Sequence, residues 1–317
     1  MMNILKMQRT ELVECKDAVD FLESLDVEVD LVYLDPPYMT QRTYRDFEDK
    51  FNDMEEYLEF LREIVVLVYP LMKKSSSLFL QCSTRNAAYI QYMMDPLFGP
   101  RGLKNIIIWQ RNEAPITDGK FIPGVTETIL YYVKSRGKHT HNPIYLPNKE
   151  LGWTKRYKTS EGRTYKLISL AHRKDGCKGF DYEYNGSTPI NGWVVPEKEM
   201  NRLKENGDLH LTKGLVYRKH YVEDTNGSHI TNLWTGIFKP KKKGNSSYAT
   251  SKPLPLIERI IKLASNEGDI VLDCFLGGGT TAVACKKLNR SFVGCDENPD
   301  AIKETKRRLL EVDKFLL

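Results

Sequence analysis

The chain has 317 residues, of which 41% are apolar and 28% charged, and it carries a formal net charge of +5. This composition is typical of a globular protein and excludes disordered and fibrous classes. We find no apolar run near the roughly 18 residues that a membrane span needs and no apolar N-terminal stretch of the secretory kind, so the sequence predicts a cytoplasmic protein without a membrane partner.

The first 133 residues alternate between strand and helix patterns. A β-like run at 11–15 leads into an amphipathic helix that reaches residue 25, and a nearly continuous apolar strand follows at 29–34. Next come a helix at 54–72, a turn at 73–76, a strand at 77–82, a helix at 85–94, and strands at 105–110 and 128–133. Such apolar runs are typical of strands buried on both faces of a parallel sheet.

Residues 137–244 break this alternation with short or irregular pieces that are rich in Gly, Pro and Asn. Regular patterns return with a helix at 254–264, a strand at 269–275, a helix at 280–288, a strand at 291–295 and a helix at 299–310. The sequence therefore predicts an α/β domain in two halves, 1–137 and 245–317, interrupted by an insert at 138–244.

The charge is divided unevenly between these parts. Residues 138–243 hold 20 lysines and arginines against 11 acidic residues, so this segment carries +9 and the rest of the chain −4. Basic residues interleaved with aromatic ones favour a polyanion such as nucleic acid, although a solvated, loop-rich surface accounts for the charge equally well. The six cysteines contain no Cys-x-x-Cys pair and the histidines no repeated spacing, so we predict no metal site.

A glycine turn follows the predicted strand at 269–275. The glycine run 277–279 leads into a helix, so backbone N–H groups and a helix N-terminus face a ligand there. With Ala282 the run also fits the dinucleotide fingerprint, and Asp296 after the next strand is placed to accept hydrogen bonds from ribose hydroxyls in either case. Asp273 precedes the turn, where its carboxylate would repel a pyrophosphate and attract an amino or sulfonium group.

A second motif, Asp35-Pro36-Pro37-Tyr38, ends the apolar strand at 29–34. Ligand sites of open α/β sheets lie outside the carboxyl ends of the strands. The two prolines have fixed φ angles and no N–H donors, which leaves rigid carbonyls and the Asp35 carboxylate as acceptors for an NH₂ group. Tyr38 adds a flat face on which a planar base can stack.

Together the two motifs resemble those of a known family. Asp35-Pro36-Pro37-Tyr38 and the segment 275–280 are similar to the catalytic and cofactor motifs of the S-adenosylmethionine-dependent DNA amino-methyltransferases, and their order resembles that of the β group. Further matches are Cys15-Lys16-Asp17, residues 107–111, Trp234 and Ser251-Lys252-Pro253. The chain departs from the family at Cys274, Leu276 and Ser251, where Pro, a small residue and Gln are usual. The first two positions concern local packing at the cofactor turn, and the third concerns one side-chain contact.

The resemblance implies a Rossmann-like methyltransferase fold with a mostly parallel, permuted sheet and an inserted target-recognition region. It implies methyl transfer from S-adenosylmethionine, leaving S-adenosylhomocysteine, to a base flipped out of double-stranded DNA. Asp in the first position of the catalytic motif favours adenine N6, with cytosine N4 or RNA as the alternative. A nicotinamide-dependent oxidoreductase, which rests on the glycine pattern alone, and a non-catalytic DNA-binding module are the hypotheses from other classes.

The resemblance also implies roles for individual residues. The catalytic set comprises Asp35, Pro36, Pro37 and Tyr38. The cofactor-binding set comprises Asp17, Lys252, Pro253, Asp273, Phe275, Gly277, Gly279, Thr280, Thr281 and Asp296. Candidate DNA-backbone contacts are Arg156, Lys158, Lys241, Lys242 and Lys243. A bacterial, archaeal or phage origin is implied, and a homodimer and a separate restriction endonuclease are left open as further partners.

Overall fold

The computed structural model of the protein describes residues 10–43, 48–113, 119–120, 122–146, 156–172, 178–212, 214–238 and 251–316. The chain divides into two compact units, which we call the large unit (residues 1–144 and 231–317) and the inserted unit (residues 145–230). The inserted unit lies within the insert expected at 138–244. The flanks of that insert belong to the large unit instead. Within it, the Asn142 N–H donates to the Leu263 carbonyl at 2.8 Å, and Trp234 pairs with Trp109 in a sheet.

The helices and strands are as follows, in chain order. The described helices are α1 Ala18–Glu23, α2 Met54–Leu71, α3 Ala87–Phe98, α4 Glu197–Glu205, α5 Leu254–Ala264, α6 Thr280–Lys287 and α7 Pro299–Leu316. The described strands are β1 Glu11–Cys15, β2 Val29–Leu34, β3 Arg42–Thr43, β4 Glu48–Asp49, β5 Met72–Cys82, β6 Leu103–Gln110, β7 Thr126–Val133, β8 Tyr145–Leu146, β9 Tyr157–Lys158, β10 Thr164–Ser169, β11 Leu209–Thr212, β12 Leu215–Tyr221, β13 Ser228–His229, β14 Leu233–Trp234, β15 Ile270–Asp273 and β16 Ser291–Asp296.

An eight-stranded sheet in the order β1-β16-β15-β2-β5-β7-β6-β14 forms the centre of the large unit. Among these described strands, β7 alone runs antiparallel to its neighbours β5 and β6, and the other neighbours pair in parallel. Every residue of β2 is buried, which explains its nearly unbroken apolar sequence. The predicted α/β class with a mostly parallel sheet is confirmed.

Helices pack in two groups along this sheet. Helix α2 contacts both α1 and α3, and α6 contacts both α5 and α7. Alternate side chains of the central strands, such as Val32, Leu78 and Leu130, join buried residues of α1, α2 and α3 in one apolar core. This packing fixes the four adjacent parallel strands β1, β16, β15 and β2, whose carboxyl ends lie side by side at one edge.

The inserted unit has its own small core. Strands β11, β12, β10 and β9 form an antiparallel sheet in that order, and buried Met200 and Leu203 of α4 pack with Val216 of β12 and with Leu170 and Trp193. This region is more regular than its sequence suggested. Its strands mix Leu, Ile and Val with Tyr, Lys, Arg and His, so their sequences show no clear alternation of apolar and polar residues.

The turn expected at 73–76 is wrong, because these residues continue strand β5. Met72 pairs with Val29, the Ser76 hydroxyl donates to the Val29 carbonyl at 2.5 Å, and Lys73 forms an ion pair with Asp30 at 2.8 Å. Contacts with β2 that are distant in sequence therefore override the local turn preference of Lys and Ser. No described helix is both long and apolar enough to cross a membrane.

Candidate active site

Four aspartates follow the four adjacent parallel strands of the large unit. Asp17 comes two residues after β1, Asp35 directly follows β2, and Asp273 and Asp296 end β15 and β16. All four line one cleft of about 500 Å³. Since strand ends in an open α/β sheet are the usual ligand site, the fold brings the two sequence motifs together here.

Most of the predicted site residues line this cleft. Those that do are Asp17, Asp35, Pro36, Pro37, Tyr38, Lys252, Asp273, Phe275, Gly277, Thr280, Thr281 and Asp296. Pro253 and Gly279 are not among the lining residues; they lie at the starts of α5 and α6. Arg156 and Lys158 are exposed in the inserted unit, and Lys241, Lys242 and Lys243 lie outside the described residues.

The glycine turn adopts backbone angles that other residues rarely reach. Gly277 has φ +51° and Gly279 has φ +73°, in the left-handed region that favours glycine. A side chain at Gly279 would overlap Thr305 of α7. The Gly277 N–H donates to the Asp296 carboxylate at 2.8 Å, so this bond ties the end of β16 to the turn.

Helix α7 supports the same turn from a part of the chain that the motifs do not include. The guanidinium of Arg308 donates to the Gly278 carbonyl and, at 3.3 Å, to the Thr280 hydroxyl. Burial lowers the pKa of Arg308. Sequence reasoning missed this arginine, because nothing in an amphipathic helix marks one of several basic residues as inward.

Asp273 is a buried carboxylate with 2% of its surface exposed. It accepts a hydrogen bond from the Phe275 N–H at 2.9 Å. Burial raises the pKa of Asp273 to about 7, against the opposing effect of hydrogen bonds from Thr281 and Phe275, and the nearby Asp35 and Asp296 carboxylates raise the pKa further. A cationic group in the cleft would favour the ionised form of this residue.

Asp35 is held by two side chains that reach it from different elements. Its Oδ1 accepts from the Tyr38 hydroxyl at 2.8 Å, and its Oδ2 forms an ion pair with Lys252. The Lys252 ammonium also lies 5.2 Å from the centre of the Tyr38 ring, within cation–π range. The Tyr57 hydroxyl donates to the Pro37 carbonyl at 2.8 Å, so packing from α2 fixes the proline pair.

Tyr38 connects this turn to a buried polar network that sequence reasoning missed. Its hydroxyl lies 3.1 Å from Oε2 of Glu127, a β7 residue with 2% of its surface exposed. Glu127 also accepts from Gln81 at 2.6 Å and from Arg111 at 3.2 Å. The available signal was the charge itself, because Glu127 stands in the otherwise uncharged strand 126–133 and a buried charge needs partners.

A further buried carboxylate shapes the chain after Tyr38. Asp49 is 1% exposed and lines the cleft. It accepts from the Met39 N–H at 2.6 Å, and from the Thr40 N–H at 3.1 Å and hydroxyl at 2.6 Å. Met39 and Gln41 have φ angles of +58° and +60°, so these bonds hold a backbone that costs roughly 1–2 kcal/mol per residue.

Aromatic rings and charges complete the cleft. Phe51, Phe60 and Phe275 form a row with ring centres 5.6 and 6.1 Å apart. Among the described lining residues the acidic side chains outnumber the basic ones, which are Lys252 and Arg111. We find no group of three or more His, Cys, Asp or Glu with metal-site geometry within the described ranges. Such a cleft suits a ligand with a flat aromatic part and a positive charge.

The large unit has a mostly parallel sheet with one reversed strand. A glycine turn after β15 and the Asp-Pro-Pro-Tyr turn after the adjacent β2 share one cleft at the strand ends, and these features define a Rossmann-like fold. The sequence model of the DNA methylase family, the N6/N4 methyltransferases, matches residues 29–307. The chain belongs to this family. Membership confirms the resemblance and favours a methyltransferase over the oxidoreductase that the glycine pattern alone left open.

Individual proteins show the same likeness. The chain is 26% identical to the type II methyltransferase M.EcaI of Enterobacter cloacae over 290 residues, which cover 88% of this chain and 64% of that protein. It is 26% identical to the DNA adenine methyltransferase YhdJ of Escherichia coli over 299 residues, covering 92% and 80%. The crystal structure of the M1.HpyAVI-SAM complex superposes with a TM-score of 0.53 at 20% identity, covering 95% of this chain and 99% of that one, and so shows the fold. The chain spans less than two thirds of the length of several relatives.

Proposed function

We propose that the protein methylates the N6 amino group of adenine in double-stranded DNA with S-adenosylmethionine as the donor. The observation that carries this proposal is the meeting of the glycine turn and the Asp-Pro-Pro-Tyr turn in one cleft, at the ends of adjacent strands. Family membership and the relative named as an adenine methyltransferase support it. Asp35, rather than Ser, in the first motif position supports adenine over cytosine.

The residues of the cleft fit this cofactor. Asp273 and the backbone around Gly277 would hold its methionine part, Asp296 its ribose, and Asp17 its adenine end. The row of Phe51, Phe60 and Phe275 offers apolar surface to a purine ring. When bound, S-adenosylmethionine supplies a methyl group on a positively charged sulfur, and the acidic cleft favours that charge.

The Asp-Pro-Pro-Tyr turn would receive the target base. A base inside the duplex cannot reach the cleft, so it must be flipped out. Asp35 and the Pro36 carbonyl would accept hydrogen bonds from its amino group and turn the nitrogen lone pair towards the methyl donor, while the Tyr38 ring stacks on the base. Catalysis then consists of orientation and of stabilising the positive charge that develops on nitrogen.

The insert at 138–244 is proposed to recognise DNA. In the inserted unit, Arg163 stacks on the Tyr221 ring at 3.7 Å and Lys219 lies 5.6 Å from the Tyr165 ring centre, so cations and aromatic rings share one small sheet. Such groups bind phosphates and bases. The proposal includes a cytoplasmic location, where prokaryotic DNA lies, and a role in restriction-modification or as a solitary methyltransferase.

Mass analysis of nucleosides tests the proposal. Unmethylated genomic DNA and, in a parallel reaction, RNA are incubated with the full chain and S-adenosylmethionine. Each is digested to nucleosides and searched for N6-methylated adenine and N4-methylated cytosine. We expect only the former. The cytosine product alone would overturn the choice of base, and no methylated base on DNA, with product on RNA, would overturn the choice of nucleic acid. Sequencing the methylated DNA would give the recognition sequence.

A further inference from the structure

The catalytic carboxylate has both of its oxygens in contact with groups of its own chain. Oδ1 of Asp35 accepts from the Tyr38 hydroxyl at 2.8 Å, and Oδ2 is paired with the Lys252 ammonium. An amino group that is to donate to Asp35 must therefore share or replace one of these two donors. The ion pair is largely shielded from solvent, with 8% of the Lys252 side chain and 18% of the Asp35 side chain exposed, so the neutral hydroxyl is the easier donor to move.

The Tyr38 hydroxyl has a second acceptor within reach. Oε2 of Glu127 lies 3.1 Å from it, on the strand two positions along the sheet from the Asp35 strand. Burial, followed by the Asp35 and Glu127 charges, raises the pKa of Tyr38, so the phenol keeps its proton. A phenol has one hydrogen to donate, and it can serve only one of these two carboxylates fully at a time.

Glu127 is fixed without any help from Asp35. Gln81 donates to Oε2 at 2.6 Å and Arg111 donates to Oε1 at 3.2 Å. The Gln81 carbonyl oxygen in turn accepts from the Tyr33 hydroxyl at 2.7 Å, which orients the amide with its NH₂ group towards Glu127. The second acceptor therefore stays in place when the donors around Asp35 change.

We propose that Glu127 is a positioning residue that takes over the Tyr38 hydrogen bond when the amino group of the target base arrives, and so frees Oδ1 of Asp35 to accept from that group. No proton is transferred in this step. The Tyr38 O–H rotates, so that it donates to the Glu127 carboxylate instead of the Asp35 carboxylate. The inference rests on the proposed function, because it requires an amino group as the substrate. It predicts that Glu127 acts on the reaction through the Tyr38 hydroxyl and not independently of it.

A double-mutant cycle tests this dependence. Glu127→Gln replaces the charged acceptor with a neutral, weaker one. Glu127→Asp keeps the negative charge, but its side chain is one methylene shorter, so the carboxylate lies farther from the Tyr38 hydroxyl. Each should lower kcat for methyl transfer about tenfold, as expected for the loss of about 1.4 kcal/mol, with KM for S-adenosylmethionine changed less than about twofold. In a Tyr38→Phe background, which has no hydroxyl to hold, the same two changes should alter kcat less than about twofold.

A matched control separates this role from the stability of the sheet. Tyr132, also on β7, donates to the Asp95 carboxylate at 2.6 Å, and neither residue lines the cleft. Asp95→Asn should leave kcat unchanged. Equal losses of kcat for Glu127→Gln with and without the Tyr38 hydroxyl would overturn the inference alone. A wild-type protein that transfers no methyl group to DNA would overturn the proposed function and this inference with it.

Discussion

The large unit and the inserted unit differ in how their candidate functional groups are fixed. In the large unit, Asp35 directly follows β2, and Asp273 and Asp296 end β15 and β16, so the backbone of a packed sheet sets their positions. In the inserted unit, the basic side chains Arg156 and Lys158 are exposed, and long charged side chains on a surface have many accessible conformations. The comparison teaches that strand ends set the positions of the candidate groups in the large unit, whereas the candidate groups of the inserted unit are exposed side chains.

The largest expected effect is in the cleft. Asp35→Ala removes the acceptor that is proposed to orient the amino group, and we expect methyl transfer to fall by at least about a thousandfold. DNA affinity, measured by filter binding, should stay within about threefold of wild type, because the inserted unit is unchanged. Equal activity of the variant and the wild type would remove Asp35 from the mechanism.

The next largest effect is expected for a substitution in the glycine turn at 277–279. Gly279→Ala should lower the free energy of unfolding, measured in urea, by about 3 kcal/mol, because it combines a left-handed backbone with the overlap at Thr305. Gly268→Ala is the matched control, since Gly268 has φ +85° and open space around it. It should cost only about 1 kcal/mol. Equal losses would contradict the tight packing of α7 against the turn.

Cofactor binding should depend on pH through Asp273. Its raised pKa of about 7 means that the carboxylate is ionised above pH 7 and protonated below it. Since the ionised form attracts a cationic ligand, the Kd for S-adenosylmethionine should increase roughly tenfold between pH 8 and pH 6. Calorimetry on Asp273→Asn should show little of this dependence.

Asp269→Asn serves as the control for that titration. Asp269 also has a pKa raised by burial, but it precedes β15, at the end of the strand away from the cleft. This variant should keep the wild-type pH dependence of cofactor binding. If it loses the dependence and Asp273→Asn retains it, the proposed contact of Asp273 with the cofactor is wrong.

The smallest effects are expected in the inserted unit. Arg156→Ala and Lys158→Ala should each weaken DNA binding severalfold at low salt and reduce the slope of log K against log salt by about one. Cofactor affinity should not change. Lys303→Ala, which removes an exposed lysine of α7 in the large unit, is the control and should leave the slope unchanged. A slope that neither inserted-unit variant alters would contradict these two contacts.

Some residues of the candidate site were predictable from the sequence and others were not, depending on whether they lie at the end of a strand. Asp35, Asp273 and Asp296 were predictable because they end apolar strands, and strand ends converge in a parallel sheet. Glu127, Asp49 and Arg308 were not, since the place of each at the site depends on a side-chain hydrogen bond to a loop or turn that is 89, 10 and 30 residues away, respectively. For the inserted unit the sequence predicted only short or irregular pieces, because its strands mix Leu, Ile and Val with Tyr, His and Lys and show no clear apolar alternation.

The order of strands in the sheet also determines when the large unit can fold. β1 and β2 are close in sequence but do not pair, because β16 and β15 lie between them. The Phe292 N–H donates to the Thr10 carbonyl at 2.9 Å across more than 280 residues. During synthesis, β1 and the β15-facing edge of β2 therefore leave the ribosome unpaired and stay so until residues 270–296 are made, while the inserted unit has its own local core. Until β16 emerges, the unpaired strand edges of the nascent chain can mispair or bind chaperones.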